Sequence, residues 1–190
     1  RFCQKAANEP DKKFFFIIDE INRGNLSKIF GELLMLIEKD YRGTKLTLAY
    51  NGMPFTVPQN LYIIGMMNTA DRSLAMIDYA LRRRFSFFEM EPGFESKGFK
   101  DYQQALGNDT FNELVNQVVK LNAEISHDKS LGKGFCIGHS YFCGRTKENC
   151  TDEWMKSVVD YDILPMLSEY LFDDDSNVQR WKNSFKEVFQ

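Results

Sequence analysis

No stretch of the 190-residue sequence approaches the roughly 20 consecutive apolar residues of a membrane helix, and no secretory leader is legible. Those absences argue against a membrane protein and make a soluble, cytoplasmic one the default. An excess of one charge is missing too. Lys and Arg number 24 against 27 Asp and Glu, a formal net charge of −3. That balance gives no electrostatic reason to expect nucleic acid or an anionic membrane as the direct partner. Cysteine is sparse, with four residues, and six positions separate Cys136 from Cys143 and Cys143 from Cys150. Structural zinc ligands usually pair across about two to four residues, so free or buried thiols are the better reading. Internal repeats and low-complexity tracts are also absent. What remains is 43% hydrophobic and 27% charged, a composition that can bury a core in one domain, or in one domain with a small appendage.

The stretch "KKFFFIIDEINRGN", residues 12–25, poses the functional question. The run "FFFII" reads as a strand, continuously apolar as in a central parallel strand covered on both faces. It ends on Asp19 and Glu20. A polar turn after a buried strand explains this blandly. A Walker B strand explains it chemically, because burial of the strand fixes both carboxylates at the sheet edge where open α/β sheets bind ligands. From Leu26 the period becomes helical through Ile29, Phe30, Leu33, Leu34 and Ile37, with Asn25 placed to cap. "KLTLAYNGMPFTV" carries a hairpin signal at Asn51-Gly52. "LYIIGMMN" reads as a second buried strand ending on the polar Asn68. A short helix with Leu74, Ile77 and Leu81 on one face leads into "RRRF", and "FSFFEM" reads as a third strand, closed by Pro92-Gly93.

The second half has helical periods. Thr110 and Glu113 form a candidate capping box ahead of a face of Phe111, Leu114, Val115, Val118 and Ile125. Residues 152–172 and 176–189 carry two further helical patterns, separated by the acidic run Asp173–Asp175, which reads as a solvated loop. Residues 129–150 form a glycine-rich irregular stretch.

Three consecutive arginines, Arg82, Arg83 and Arg84, are hard to bury together. They make either a basic surface corner or an arginine finger reaching a neighbouring subunit's γ-phosphate. Acidic strand end, polar strand end, then arginine is the order of an AAA+ nucleoside triphosphatase.

The strings "FFIIDEINRGNLSKIFGELLMLIE" and "MMNTADRSLAMIDYALRRRFSFFEMEPGF" resemble the McrB family, the GTP-hydrolysing AAA+ subunits of 5-methylcytosine-dependent restriction systems. "MNTAD" resembles a segment linked in that family to GTP use. "GKGFCIGHSYF" and "ILPMLSEYLFDD" resemble its lid. The resemblance implies an α/β P-loop NTPase fold of the AAA+ type, with a core over residues 1–92 and an α-helical lid over 93–190. It further implies Mg²⁺ and GTP, with ATP as the alternative, as the bound groups. A homo-oligomeric ring, a McrC-type nuclease partner, and DNA contacted through a separate N-terminal domain are implied as well. Carried over by position, Asp19 is the Mg²⁺-associated acid, Glu20 the catalytic base, and Asn22 a residue placing the attacking water. Asn68 and Asp71 are the sensor-type polar residues, with Arg72 beside them. Arg83 is the finger, and Arg84 ties an interface or the catalytic acid. His139 and Ser140 either approach the nucleotide or form a structural turn.

One departure stands out. No G-x-x-x-x-G-K-[ST] loop occurs in the sequence. In the family this loop lies upstream of the acidic strand. The resemblance therefore implies a fragment with an incomplete αβα core, inactive by itself, whose "FFFII" and "LYIIGMM" strands are left partly uncovered. Two other classes remain open. One is a MoxR- or dynein-related AAA+ ATPase unconnected with restriction, since "DEINR" and the following hairpin are shared with that wider clade. The other is a non-catalytic assembly module.

Overall fold

A computed structural model describes residues 1–49, 51–70 and 79–190, with Tyr79 and Ala80 by backbone alone. The chain forms two compact units, Arg1–Phe88 and Glu89–Gln190.

The first unit is mixed α/β. Helix α1 (Phe2–Asn8), for which the sequence pattern gave no signal, precedes strand β1 (Phe14–Ile18). β1 pairs in parallel with β4 (Leu61–Gly65), from Phe14 opposite Leu61 to Ile18 opposite Gly65. Parallel strands need a crossover connection, and here it contains helix α2 (Leu26–Phe30) and a hairpin of β2 (Leu46–Thr47) with β3 (Pro54–Phe55). Asn25 caps α2 as expected, its side chain accepting from the Lys28 N–H at 2.9 Å. The helical period expected through Ile37 breaks at Gly31, whose φ of 48° leaves the helical region. The chain continues as a 3₁₀ turn over Gly31–Leu34.

Among the described residues β1 and β4 pair only with each other. β1 is consequently not covered on both faces. Phe15, Phe16 and Ile17, with Tyr62 and Ile64 on β4, are exposed. The third strand expected at "FSFFEM" does not form, and Phe87, Phe88 and Met90 lie exposed in irregular chain. β-propensity without a ladder partner makes no strand.

Two apolar clusters hold this unit. Ala6, Leu36, Val57 and Leu61 form one. Ile21, Leu26, Ile37 and Leu81 form the other. Asn60 fastens the chain between α1 and β1, its amide nitrogen donating to the carbonyls of Ala6, Glu9 and Lys12 at 2.8–2.9 Å. Helix α3 (Tyr79–Arg82) carries Leu81 into the second cluster. Leu74 and Ile77 of the expected helix lie outside the described residues.

The second unit is helical: α4 (Lys97–Leu106), α5 (Asp109–His127), α6 (Asp152–Val158), α7 (Leu164–Tyr170) and α8 (Asp175–Glu187). All five residues expected on the inner face of α5 are buried. Its cap is Asn108, not Thr110, because the Asn108 side chain accepts from the Phe111 N–H at 3.0 Å. The single pattern over 152–172 is interrupted by a π turn at Val159–Ile163, just before Pro165, which has no N–H to give the helical ladder. Asp174, in the acidic run, caps α8 by accepting from Asn177 N–H at 3.0 Å. Phe94, Phe99, Phe111 and Phe142 meet edge-on or tilted in the core. No helix among the described residues is long and apolar enough to cross a membrane.

Candidate functional site

The register of β1 with β4 brings the two polar strand ends side by side. Past the Ile18–Gly65 pair, Met66 N–H donates to Ile18 O at 2.8 Å and Ile21 N–H donates to Met66 O at 2.9 Å. These bonds carry the pairing around the turn at Asp19 and Glu20. Gly65 permits the arrangement, since a Cβ there would stand 2.6 Å from Ile21 Cδ1.

Glu20 has φ 51° and ψ 44°, the one left-handed non-glycine residue among those described. Such a conformation costs on the order of 1–3 kcal/mol and concentrates at functional sites. It is supported locally: Asp19 Oδ1 accepts from Glu20 N–H at 2.9 Å, and Arg23 N–H donates to Glu20 O at 2.9 Å. The Glu20 carboxylate meets Arg23 through Oε2, with the guanidinium Nε at 3.1 Å. Asp19 itself is exposed.

Asn22 is buried, with 7% of its surface exposed. Its amide nitrogen donates to Asn68 O at 3.2 Å, tying the two strand ends together. Its Oδ1 is buried and has no hydrogen-bond partner among the described residues. Asn68 is exposed and closes its own turn, Oδ1 accepting from Ala70 N–H at 3.0 Å. Asp19, Glu20, Asn22 and Asn68 thus gather at one sheet edge. Asp71 and Arg72 lie outside the described residues.

One exposed carboxylate does not hold Mg²⁺ alone. Mg²⁺ keeps several waters and binds through one or two carboxylates together with substrate phosphates. Asp19, a hard oxygen donor at the open end of the sheet, fits that partial role.

Arg82 ends α3, and Arg83 and Arg84 occupy the turn after it, where Arg84 N–H donates to Leu81 O at 2.9 Å. Arg82 and Arg83 are exposed. Arg84 turns inward, and both Arg83 and Arg84 approach Glu38.

In the second unit His139 is half-buried. Its Nδ1 accepts from Gly93 N–H at 3.0 Å, which leaves Nε2 as the ring's donor. The ring packs edge-on to Phe94 and Phe99. Neighbouring Asn122, which sequence reasoning did not single out, is a buried amide pairing with both backbone groups of Ile137, at 2.9 and 2.6 Å. Glu38, Arg23 and Gly65 were missed as well. Their roles arise from side-chain encounters across the fold, and only Arg23, three residues after Glu20, had a local signal.

Comparison with known proteins gives matches across the chain. Residues 2–85 match the model of the AAA domain of the dynein-related subfamily, and residues 113–179 match that of the McrB alpha-helical lid domain. The chain is 50% identical over 192 residues to the "Type IV methyl-directed restriction enzyme EcoKMcrB subunit" of Escherichia coli (strain K12), covering 96% of this chain and 42% of that protein. It is 26% identical over 197 residues to the "Type II restriction enzyme BsuMI component YdiS" of Bacillus subtilis (strain 168), covering 92% of this chain and 53% of that protein. The chain therefore spans about half the length of these relatives.

Proposed function

Starting from a chain that belongs to the McrB family, we propose that it forms part of a ring-assembling AAA+ GTPase. That GTPase drives a McrC-type endonuclease on DNA carrying 5-methylcytosine. DNA would be read by a separate domain, and no membrane is involved. The observation that carries this reading is the meeting of Asp19, Glu20, Asn22 and Asn68 at the adjoining ends of two parallel strands. These residue types at a sheet edge suit hydrolysis of a nucleoside triphosphate.

Mg²⁺, when bound, would supply positive charge that offsets the negative charge developing on the phosphates. Asp19 would hold it from the protein side. Glu20 would accept a proton from the attacking water. Its Oε2 faces Arg23, so Oε1 is the oxygen for that task. Asn22, whose buried Oδ1 has no partner among the described residues, would orient the water together with Asn68 and Asp71, and Arg72 would contact the nucleotide. Arg83 would stabilise the γ-phosphoryl charge in the neighbouring subunit's site. Arg84 would hold the base of that finger, and His139 would present Nε2 from the lid. The sequence contains no P-loop, so hydrolysis belongs to the whole protein, and the 190 residues alone are expected to be inactive.

The AAA match to the dynein-related subfamily supports a second reading, an ATPase without a restriction role. A trans test addresses the mechanism in both. In the whole protein, Glu20→Gln should keep nucleotide binding and lose turnover, since an amide is no base. Arg83→Ala should lower turnover roughly a thousandfold. Mixed rings of the two inactive variants contain some interfaces with a good Glu20 and a good Arg83, so activity should partly return. No recovery in demonstrably mixed rings overturns the finger assignment. GTP turnover well above ATP turnover in the wild type supports the first reading over the second.

A further inference from the structure

Arg83 and Arg84 share one carboxylate oxygen but hold it differently. Arg84 Nη2 lies 2.5 Å from Glu38 Oε1, and its side chain is 9% exposed. Arg83 Nη2 lies 3.7 Å from the same oxygen, and its side chain is 62% exposed. Glu38 itself is 29% exposed. The first contact is a charge-assisted hydrogen bond in a largely dry setting, where geometry is tightly held. The second is an exposed ion pair beyond hydrogen-bond length, weak and easily released.

Both sides of this arrangement stand on one apolar cluster. Ile37, next to Glu38, and Leu81, whose carbonyl accepts the Arg84 N–H, are both buried in it with Ile21 and Leu26. Glu38 is therefore fixed in the chain, Arg84 is a strut, and Arg83 is an arm on a loose tether. A finger acting on a neighbour's phosphate needs that combination. It must be aimed before the phosphate arrives, at an energetic cost small enough to let go.

We propose that Glu38 is the positioning residue of the arginine finger, locking Arg84 inward so that Arg83 is the guanidinium left to reach across the subunit boundary. The inference rests on the reading of Arg83 as a finger given above. Without the Glu38 charge, two adjacent guanidiniums repel each other, and Arg84 loses the carboxylate contact that draws it toward Glu38. Both then compete for one outward direction. The defect falls on the neighbour's site and leaves the subunit's own Asp19, Glu20 and Asn22 intact.

The test uses the whole ring-forming protein. Glu38→Gln retains an acceptor for Arg84 but removes the charge. It should lower kcat by roughly ten- to a hundredfold with little change in nucleotide affinity. Mixed with Glu20→Gln subunits it should recover activity, as Arg83→Ala does. Circular dichroism and sedimentation check folding and assembly. If Glu38→Gln fails to fold, Glu38→Asp keeps the charge but shortens its reach to Arg84, and it must show the same defect in trans. A folded, assembled Glu38 variant with wild-type turnover, or one that Glu20→Gln subunits cannot rescue, overturns the proposal. If Arg83→Ala itself keeps wild-type turnover, the finger reading has failed instead, whatever Glu38 does.

Discussion

Replacing Asn22 by alanine should cost little stability and much activity. The side chain is almost fully buried, so a large loss would be the ordinary expectation for a buried polar group with satisfied bonds. Here the terms oppose each other. The Asn22 amide gives one hydrogen bond, to Asn68 O at 3.2 Å, worth about 0.5–1.5 kcal/mol net. Its Oδ1 is buried without a partner among the described residues, a penalty of about 1–3 kcal/mol that truncation would relieve. A small unfilled space offsets part of that gain, on the order of 1 kcal/mol. The sum lies within roughly 1.5 kcal/mol of zero. Urea unfolding of the chain by far-UV circular dichroism measures it. Fluorescence offers an internal control, since both tryptophans, Trp154 and Trp181, lie in the second unit. In the whole protein, loss of the group proposed to orient water should lower turnover about a hundredfold. Destabilisation beyond about 3 kcal/mol would show that Asn22 is a structural staple, and the reasoning from its orphaned oxygen would be wrong. Unchanged stability with unchanged turnover would refute it from the other side.

Two further substitutions follow from the packing. Asn122→Ala strands the N–H and C=O of Ile137, which is 2% exposed, and should destabilise the second unit by about 2–5 kcal/mol, read by tryptophan fluorescence in urea. A loss under 1 kcal/mol would mean that the segment around Ile137 finds other partners. Leu81→Ala removes a side chain that is 1% exposed from the cluster shared with Ile21 and Ile37, at a cost of about 2–5 kcal/mol by thermal unfolding. Because Ile21 adjoins Glu20, such subunits should be rescued in mixed rings by neither Glu20→Gln nor Arg83→Ala, and efficient rescue by either would confine the damage to one side.

What the sequence made legible is the part of the fold set by local pattern. "FFFII" and "LYIIG" announce strands by apolar β-rich runs between polar ends, and Asn51-Gly52 marks the hairpin that forms. The inner face of α5 follows from its period. What failed depended on something the pattern does not contain. "FSFFEM" has strand propensity, but a strand exists only with a neighbour. The helix expected through Ile37 was undone by the positive φ of Gly31. Thr110 and Asn108 are both acceptable caps, and only the path of the chain into α5 decides between them. The helical run over 152–172 hid a π turn ahead of Pro165.

The site divides in the same way. Asp19, Glu20 and Asn68 were visible because strand ends can be read from sequence, and parallel register then sets them together. Glu38 was not, because "LIEKDYR" offers two acids and two bases in a row, and nothing local says which acid a buried arginine will meet. That pairing follows from the cluster beneath it. Ile21 and Leu81 are each one to three residues from a group with a proposed chemical task, Glu20 on one side and the arginine turn on the other, and they pack in a single cluster. In the proposed ring those two groups serve different active sites, one the subunit's own and one its neighbour's. A rigid link between them inside each subunit gives a physical route by which strain at one nucleotide can bias the next. The link is a packed core and needs no moving part of its own. Its two ends are the strained turn at Glu20 and the loosely tethered Arg83.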